Sequence, residues 1–157
     1  MTKIIESRGW QGIIKVKIKN LVTGEEKKEI LFNRLMNAAL DEIIKPLYGE
    51  PANLELAYLA LGTSNTPVND TQEQLGNEIF RTQFQSVTRT GTGEVISLAI
   101  VLDVEAVGTI EEIGVFAGSE ATGDPDTGLM VSRILWHKVK TSTEEIQFSR
   151  IDRVVRG

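Results

Sequence analysis

The chain has 157 residues, with 17 Lys+Arg against 22 Asp+Glu and a formal net charge of −5. That length suits one domain, and a domain of this size buries roughly 70% of its unfolded surface without a disulfide or metal staple. The absence of cysteine excludes disulfides, thiolate zinc sites, iron–sulfur clusters and cysteine nucleophiles, and the single histidine, His137, leaves metals to oxygen ligands.

No apolar run approaches the ~18 residues needed to span a bilayer, and residues 1–20 lack the apolar core of a secretory signal. The expectation is a protein made and used in a cytosol or carried inside an assembly. Residues 13–20 alternate Ile14, Val16 and Ile18 with Lys15, Lys17 and Lys19, the pattern of a strand with one wet face. Thr23-Gly24-Glu25 is a turn signal and Glu29 to Phe32 a return strand, so residues 10–32 read as a hairpin within an N-terminal arm, 1–32. A nucleic-acid groove would need more basic charge and stacking aromatics than the lysine stripe offers.

From Asn33, a residue suited to capping, Leu35, Met36, Ala39, Leu40, Ile43, Ile44 and Leu47 recur at helical spacing, which predicts one packed α-helix over 33–48. Pro46 and Pro51 bound it. Beyond the helix, Leu56 to Leu61 predict a short apolar strand, followed by a polar loop to about Asn77. Further strands are predicted at 79–89, 94–104, 110–117, 129–140 and 144–155, with turn clusters at 90–93, 107–108 and 118–128. The predicted fold class is therefore mainly β, an antiparallel β-sandwich of seven or eight strands in a single domain, with its core over 54–149 and a C-terminal tail over 150–157.

Charge is uneven along the chain. Residues 1–49 carry 9 basic and 6 acidic side chains, residues 50–127 carry 2 and 13, and residues 128–157 carry 6 and 3. Either one copy's acidic surface is steered towards another's basic surface, or the segments interleave and the charges mix in space.

The residues that carry chemistry elsewhere are sparse. His137 is read as a half-buried strand histidine on the side of Leu135 and Val139, and no Gly-x-Ser-x-Gly elbow accompanies it. Asp124-Pro125-Asp126-Thr127-Gly128 lacks a full calcium loop and reads as a turn. Glu111-Glu112 and Glu144-Glu145 place adjacent carboxylates on opposite strand faces, which argues against an acid/base pair within either doublet. No metal or cofactor is expected.

Three stretches occur in an order that resembles a family of tailed-bacteriophage and prophage virion proteins from tail, baseplate and fibre-attachment modules. Tyr58-Leu59-Ala60-Leu61-Gly62-Thr63, then Pro67 and Leu75-Gly76-Asn77-Glu78-Ile79-Phe80-Arg81, is similar to that family's "YIALGTG…P…LG.E..R" block. Thr109 to Gly118 is similar to "I.E.GLF", and Gly128 to Arg133 to "G.L.AR". The resemblance spans about 30–150, and the N-terminal hairpin and residues 150–157 fall outside its blocks. Arg81 and Arg133 face solvent, or each pairs with an interior or interfacial carboxylate such as Glu78 or Glu112.

The resemblance implies a non-enzymatic structural protein of the virion, assembled in the host cytoplasm as a homo-oligomer among other virion proteins, with neither nucleic acid nor membrane as partner. Tail, baseplate, fibre anchoring and capsid decoration are the candidate positions. Contacts to neighbours are expected from loops 63–78 and 118–128 and from the chain ends, nominating Asn65, Thr66, Asp70, Glu73, Arg81, Asp124, Asp126, Arg133, Arg150 and Arg153. A carbohydrate- or receptor-binding module is the alternative, although two tryptophans and two tyrosines offer few faces for sugars. A hydrolase built on His137 is a third possibility.

Overall fold

In the computed structural model, which describes residues 9–156, the alternating N-terminal stretch forms β1 (Gly9–Asn20) and returns as β2 (Glu26–Phe32). Residues 1–8 of the expected arm, and Gly157, lie outside the described residues. There follow α1 (Asn37–Ile43), β3 (Leu56–Gly62), β4 (Glu78–Gln83), β5 (Ser86–Gly91), β6 (Glu94–Val101), β7 (Gly108–Ala117), β8 (Leu129–Lys140) and β9 (Glu144–Val155). The strands make two antiparallel sheets, a five-stranded one in the order β2-β1-β9-β6-β5 and a four-stranded one in the order β4-β3-β7-β8, packed as a sandwich.

The described residues thus hold nine strands where seven or eight were expected. The stretch 79–89 divides because the chain changes sheets at its middle. The Phe84 amide bonds to the carbonyl of Ala57 in β3, whereas the next amide, Gln85, bonds to that of Leu98 of β6 in the other sheet.

Strand alternation sets the core. Ile14, Val16 and Ile18 of β1 lie with Ala99, Val101, Ile146 and Phe148 on the inner face of the five-stranded sheet, against Leu59, Leu61, Ile113, Val115 and Trp136 of the other sheet. Each large apolar side chain buried there contributes about 1.5–3 kcal/mol. Trp136 meets Phe148 edge to face, ring centroids 5.8 Å apart, and donates its indole N–H to Glu29. A second apolar group, Met36, Ala60, Leu75, Phe116 and Met130, forms on the outer face of the four-stranded sheet beneath the loop that follows β3.

Several sequence expectations require correction. The helix begins at Asn37, not Asn33, because residues 33–36 run along β8: Leu35 bridges Ser132, and the Met36 amide donates to the Val131 carbonyl at 2.9 Å. This segment thereby covers part of a sheet edge that would otherwise be open. Pro46 turns the end of the helical run into a 3-10 turn, Lys45–Tyr48, which Gly49 closes in the left-handed conformation (φ 87°). The apolar face expected to pack throughout buries only its first part, for Leu40, Ile44 and Leu47 are exposed.

The strand predicted over 144–155 is present whole as β9, so the C-terminal tail also expected from residue 150 is not a tail. Residues 150–155 complete β9, which pairs with β1 on one side and β6 on the other, so the expected tail lies inside the sheet. The hairpin expected to stand outside the sandwich core supplies β1 and β2 of the same sheet.

Arg150, fully buried, is held in place by a bidentate contact to Asp152 (2.8 and 2.9 Å) and donates to the Ser132 hydroxyl of the opposite sheet at 2.6 Å. Truncating the chain after Ser149 removes this bridge and the pairing of Arg150–Val155. The expected outcome is loss of cooperative urea unfolding and of the strand signal in circular dichroism, where a dispensable tail would leave both unchanged.

Candidate functional site

The loop between β3 and β4 and the loop between β7 and β8 both cover the outer face of the four-stranded sheet, and each is tied down by a buried arginine. Glu112 on β7 is fully buried, and its carboxylate accepts from the amides of Ser64 (2.9 Å), Gly76 (2.8 Å) and Asn77 (2.9 Å) and from Nε of Arg133 (2.9 Å). Arg133, from the adjacent β8, also donates to the Thr66 and Ser64 carbonyls (2.8 and 3.2 Å) and to the Gln72 side chain (3.3 Å). A carboxylate and a guanidinium thus share the polar backbone groups of one loop between them.

This geometry requires small residues at fixed points. A Cβ on Gly62 would collide with the Glu112 carboxylate, and one on Gly76 with the Ser64 side chain. On Gly114 it would come within 2.7 Å of Leu75 Cδ2, which seals the loop from below.

The second anchor repeats the arrangement. The Arg81 side chain, 2% exposed, makes a bidentate contact with Glu78 (2.7 and 2.8 Å) and lies 4.5 Å from the ring centre of Phe116. Its remaining nitrogen donates to the Thr122 and Thr127 carbonyls (2.9 and 3.1 Å) and to the Thr127 hydroxyl (3.0 Å), gathering the loop 118–128. Glu78 also accepts from the amide of Asp126, which sits in the left-handed region (φ 63°).

The nominated contact residues therefore divide. Asn65, Thr66 and Glu73 on the first loop and Asp124 and Asp126 on the second are exposed on the same side of the sandwich. Asp70 is half-buried and bonded to Arg34 through two hydrogen bonds. Arg153 is exposed and paired with Glu94 across β9 and β6. Arg81, Arg133 and Arg150 are committed inside the domain, because each has a buried carboxylate partner that solvent exposure would strand. The sequence nominated the Glu78 and Glu112 partners but missed Gln72, Thr122 and Thr127. Polar loop residues carry no periodicity that would mark them.

His137 is exposed, not half-buried, with Nδ1 2.8 Å from Glu111 Oε1 on the outer face of β8. Leu135 and Val139 are exposed beside it, because the covering loop stops short of this end of the strand. Among the described residues no group of three or more His, Cys, Asp or Glu side chains is placed to hold a metal ion, and no helix is long and apolar enough to cross a membrane.

No family model, no curated protein and no solved structure matches the chain.

Ion pairs absorb part of the charge asymmetry and leave the rest segregated. Glu73, Glu120, Asp124 and Asp126, on the covering loops, make no ion pair among the described residues; nor do Lys15, Lys19, Lys27 and Lys28 on β1 and β2. Carboxylates thus gather outside one sheet and lysines along one edge region of the other.

Replacing Arg133 by Leu strands the Glu112 carboxylate in a dry site, and Glu112→Gln leaves the buried Arg133 charge unpaired and turns an amide N–H towards the loop's own donors; each should cost about 3–5 kcal/mol in urea denaturation. In both variants amide hydrogen exchange at Ser64, Gly76 and Asn77 should quicken more than in β9. The clamp at Asp70 adds a pH dependence. Arg34 holds the Asp70 carboxyl below its ordinary value, so the contribution is complete above that ordinary value and is lost as pH falls through the lowered one. Asp70→Asn should flatten this part of the acid limb when the urea midpoint is followed against pH.

Proposed function

We propose that the protein is a non-enzymatic structural component of a tailed-bacteriophage or prophage virion, present in symmetric copies within a tail, baseplate or fibre-attachment module. The observation that carries this reading is the position of the charged residues in the stretches that resemble such proteins. Glu78 and Arg81 of the first stretch form one buried ion pair, and Glu112 of the second joins Arg133 of the third in the other. The resembling residues are thus the joints of one physical unit, not scattered apolar matches. They fix two rigid loops on an exposed face.

The role of such a unit is assembly. Loops already held by internal hydrogen bonds lose little freedom on docking, so modest contacts repeated around a symmetry axis suffice for a stable structure. The segregation of unpaired carboxylates and lysines supports charge-steered contact between neighbours. A carbohydrate-binding role draws little support from the tryptophans, for Trp136 is buried against Phe148 and only Trp10, half-buried with its N–H on Asp152, presents part of a ring face.

The direct test is quantitative mass spectrometry of purified phage particles produced from a genome that encodes the chain. The expected result is its presence in the particle at a fixed multiple of another tail or baseplate component. Expression of the protein in the lysate without its incorporation into particles would overturn the reading.

A further inference from the structure

At the end of the sandwich where β1 begins and β9 ends, the two sheets part around a cavity of about 370 Å³. Its walls are chiefly apolar, formed by Trp10, Leu54, Leu56, Val87, Val95 and Val154. The carboxylate at its floor, Asp152, is already neutralised by Arg150 and hydrogen-bonded by Trp10. Nothing polar in the floor is left waiting for a ligand group.

A protrusion stands beside the hollow. Ile43, the last residue of α1, contributes to the cavity wall, and the chain continues at once into the 3-10 turn, whose Leu47 is 86% exposed and Tyr48 58% exposed. Single exposed apolar side chains are ordinary, but Ile44, Leu47 and Tyr48, all exposed, follow within five residues of Ile43, which lines an open apolar cavity. The rim also carries one cation and one anion, Arg89 and Glu55, both exposed and neither in an ion pair among the described residues.

We infer that this end of the domain is a two-fold interface with a second copy of the same chain, in which Leu47 of each copy enters the cavity of the other and Arg89 of each pairs with Glu55 of the other. A two-fold contact uses the same patch twice, so the patch must hold both halves of every complementary pair. This one carries an exposed apolar knob four residues beyond the wall of a hollow, and a free cation and a free anion among the residues that line it. The charge complementarity singles out a second copy, since a small apolar ligand would have no use for opposite charges at the rim. The inference rests on the assembly reading for its biological use, but not for its physics.

The test is sedimentation equilibrium of the full chain from low micromolar to submillimolar concentration. Wild type should show a monomer–dimer equilibrium. Leu47→Asp, at a site too exposed to disturb the fold, should raise the dimer Kd by about thirtyfold, the loss typical of a central interface anchor. Arg89→Glu and Glu55→Arg should each weaken the dimer severalfold, and the two together should restore it, a readout that a general loss of stability would not give. A chain that stays monomeric throughout, or a dimer indifferent to all three changes, would overturn the inference. So would tight binding of 1-anilinonaphthalene-8-sulfonate to a non-dimerising wild type with loss of that binding in Val87→Asp, which would assign the cavity to a small apolar ligand. Incorporation into particles is scored separately, so the failure of this contact and the failure of the virion reading are distinguishable.

Discussion

The outer face of the four-stranded sheet depends on one carboxylate. Placing Glu112 at the centre of β7 takes an ion out of water, a cost of several kcal/mol that a single Arg133 contact would offset only with excellent geometry. The site supplies that geometry by adding three backbone amides from the loop above. Because the amides come from both ends of the loop, satisfying the charge and closing the loop are the same event. Gly62, Gly76 and Gly114 follow from this constraint, since each lies where a side chain would displace either the carboxylate or the loop.

Arg81 and Arg150 extend the same logic to other parts of the domain. Arg81 ties the loop 118–128 to β4, and Arg150 ties β9 to β8 across the interior. Replacing such pairs by apolar residues of similar volume is often neutral in stability, so their value here is better sought in specificity. An apolar core holds two sheets together without dictating where long loops lie. Directional bonds from a buried fork do dictate it, and a surface whose loops have one position can be repeated identically around a symmetric assembly.

Much of the fold was legible in the sequence because it is written in alternation. Ile14, Val16 and Ile18 marked the core face of β1, and the predicted strand 129–140 coincides with β8. The candidate partners of Arg81 and Arg133 were legible too, since a strand-interrupting arginine needs a carboxylate and few are close in the pattern. Alternation marked the strand over 144–155 but does not report whether a strand lies at an edge or in the centre, and so its last residues were also assigned to a tail outside the core. Nor does it report competition for backbone groups: the pattern from Leu35 onwards is helical, yet the amide of Met36 finds a partner on β8 and the helix starts later. The exposure of Leu47 and the open cavity near it were illegible for the same reason, being properties of how elements meet.

The place of β9 bears on how the domain is made. The five-stranded sheet has β1, from the start of the described chain, and β6, from its middle, on either side of a strand that ends at Val155. During synthesis the hairpins β1-β2 and β5-β6 emerge with inner faces and facing edges uncovered, and neither can join the other until β9 has cleared the ribosome. Such dominance of distant pairings slows folding and leaves a window in which unsatisfied strand edges can capture one another between nascent chains. The lysines along β1 and β2 would keep neighbouring chains apart through that window by mutual repulsion, and those on β2, an edge strand of the finished sheet, continue to guard it afterwards.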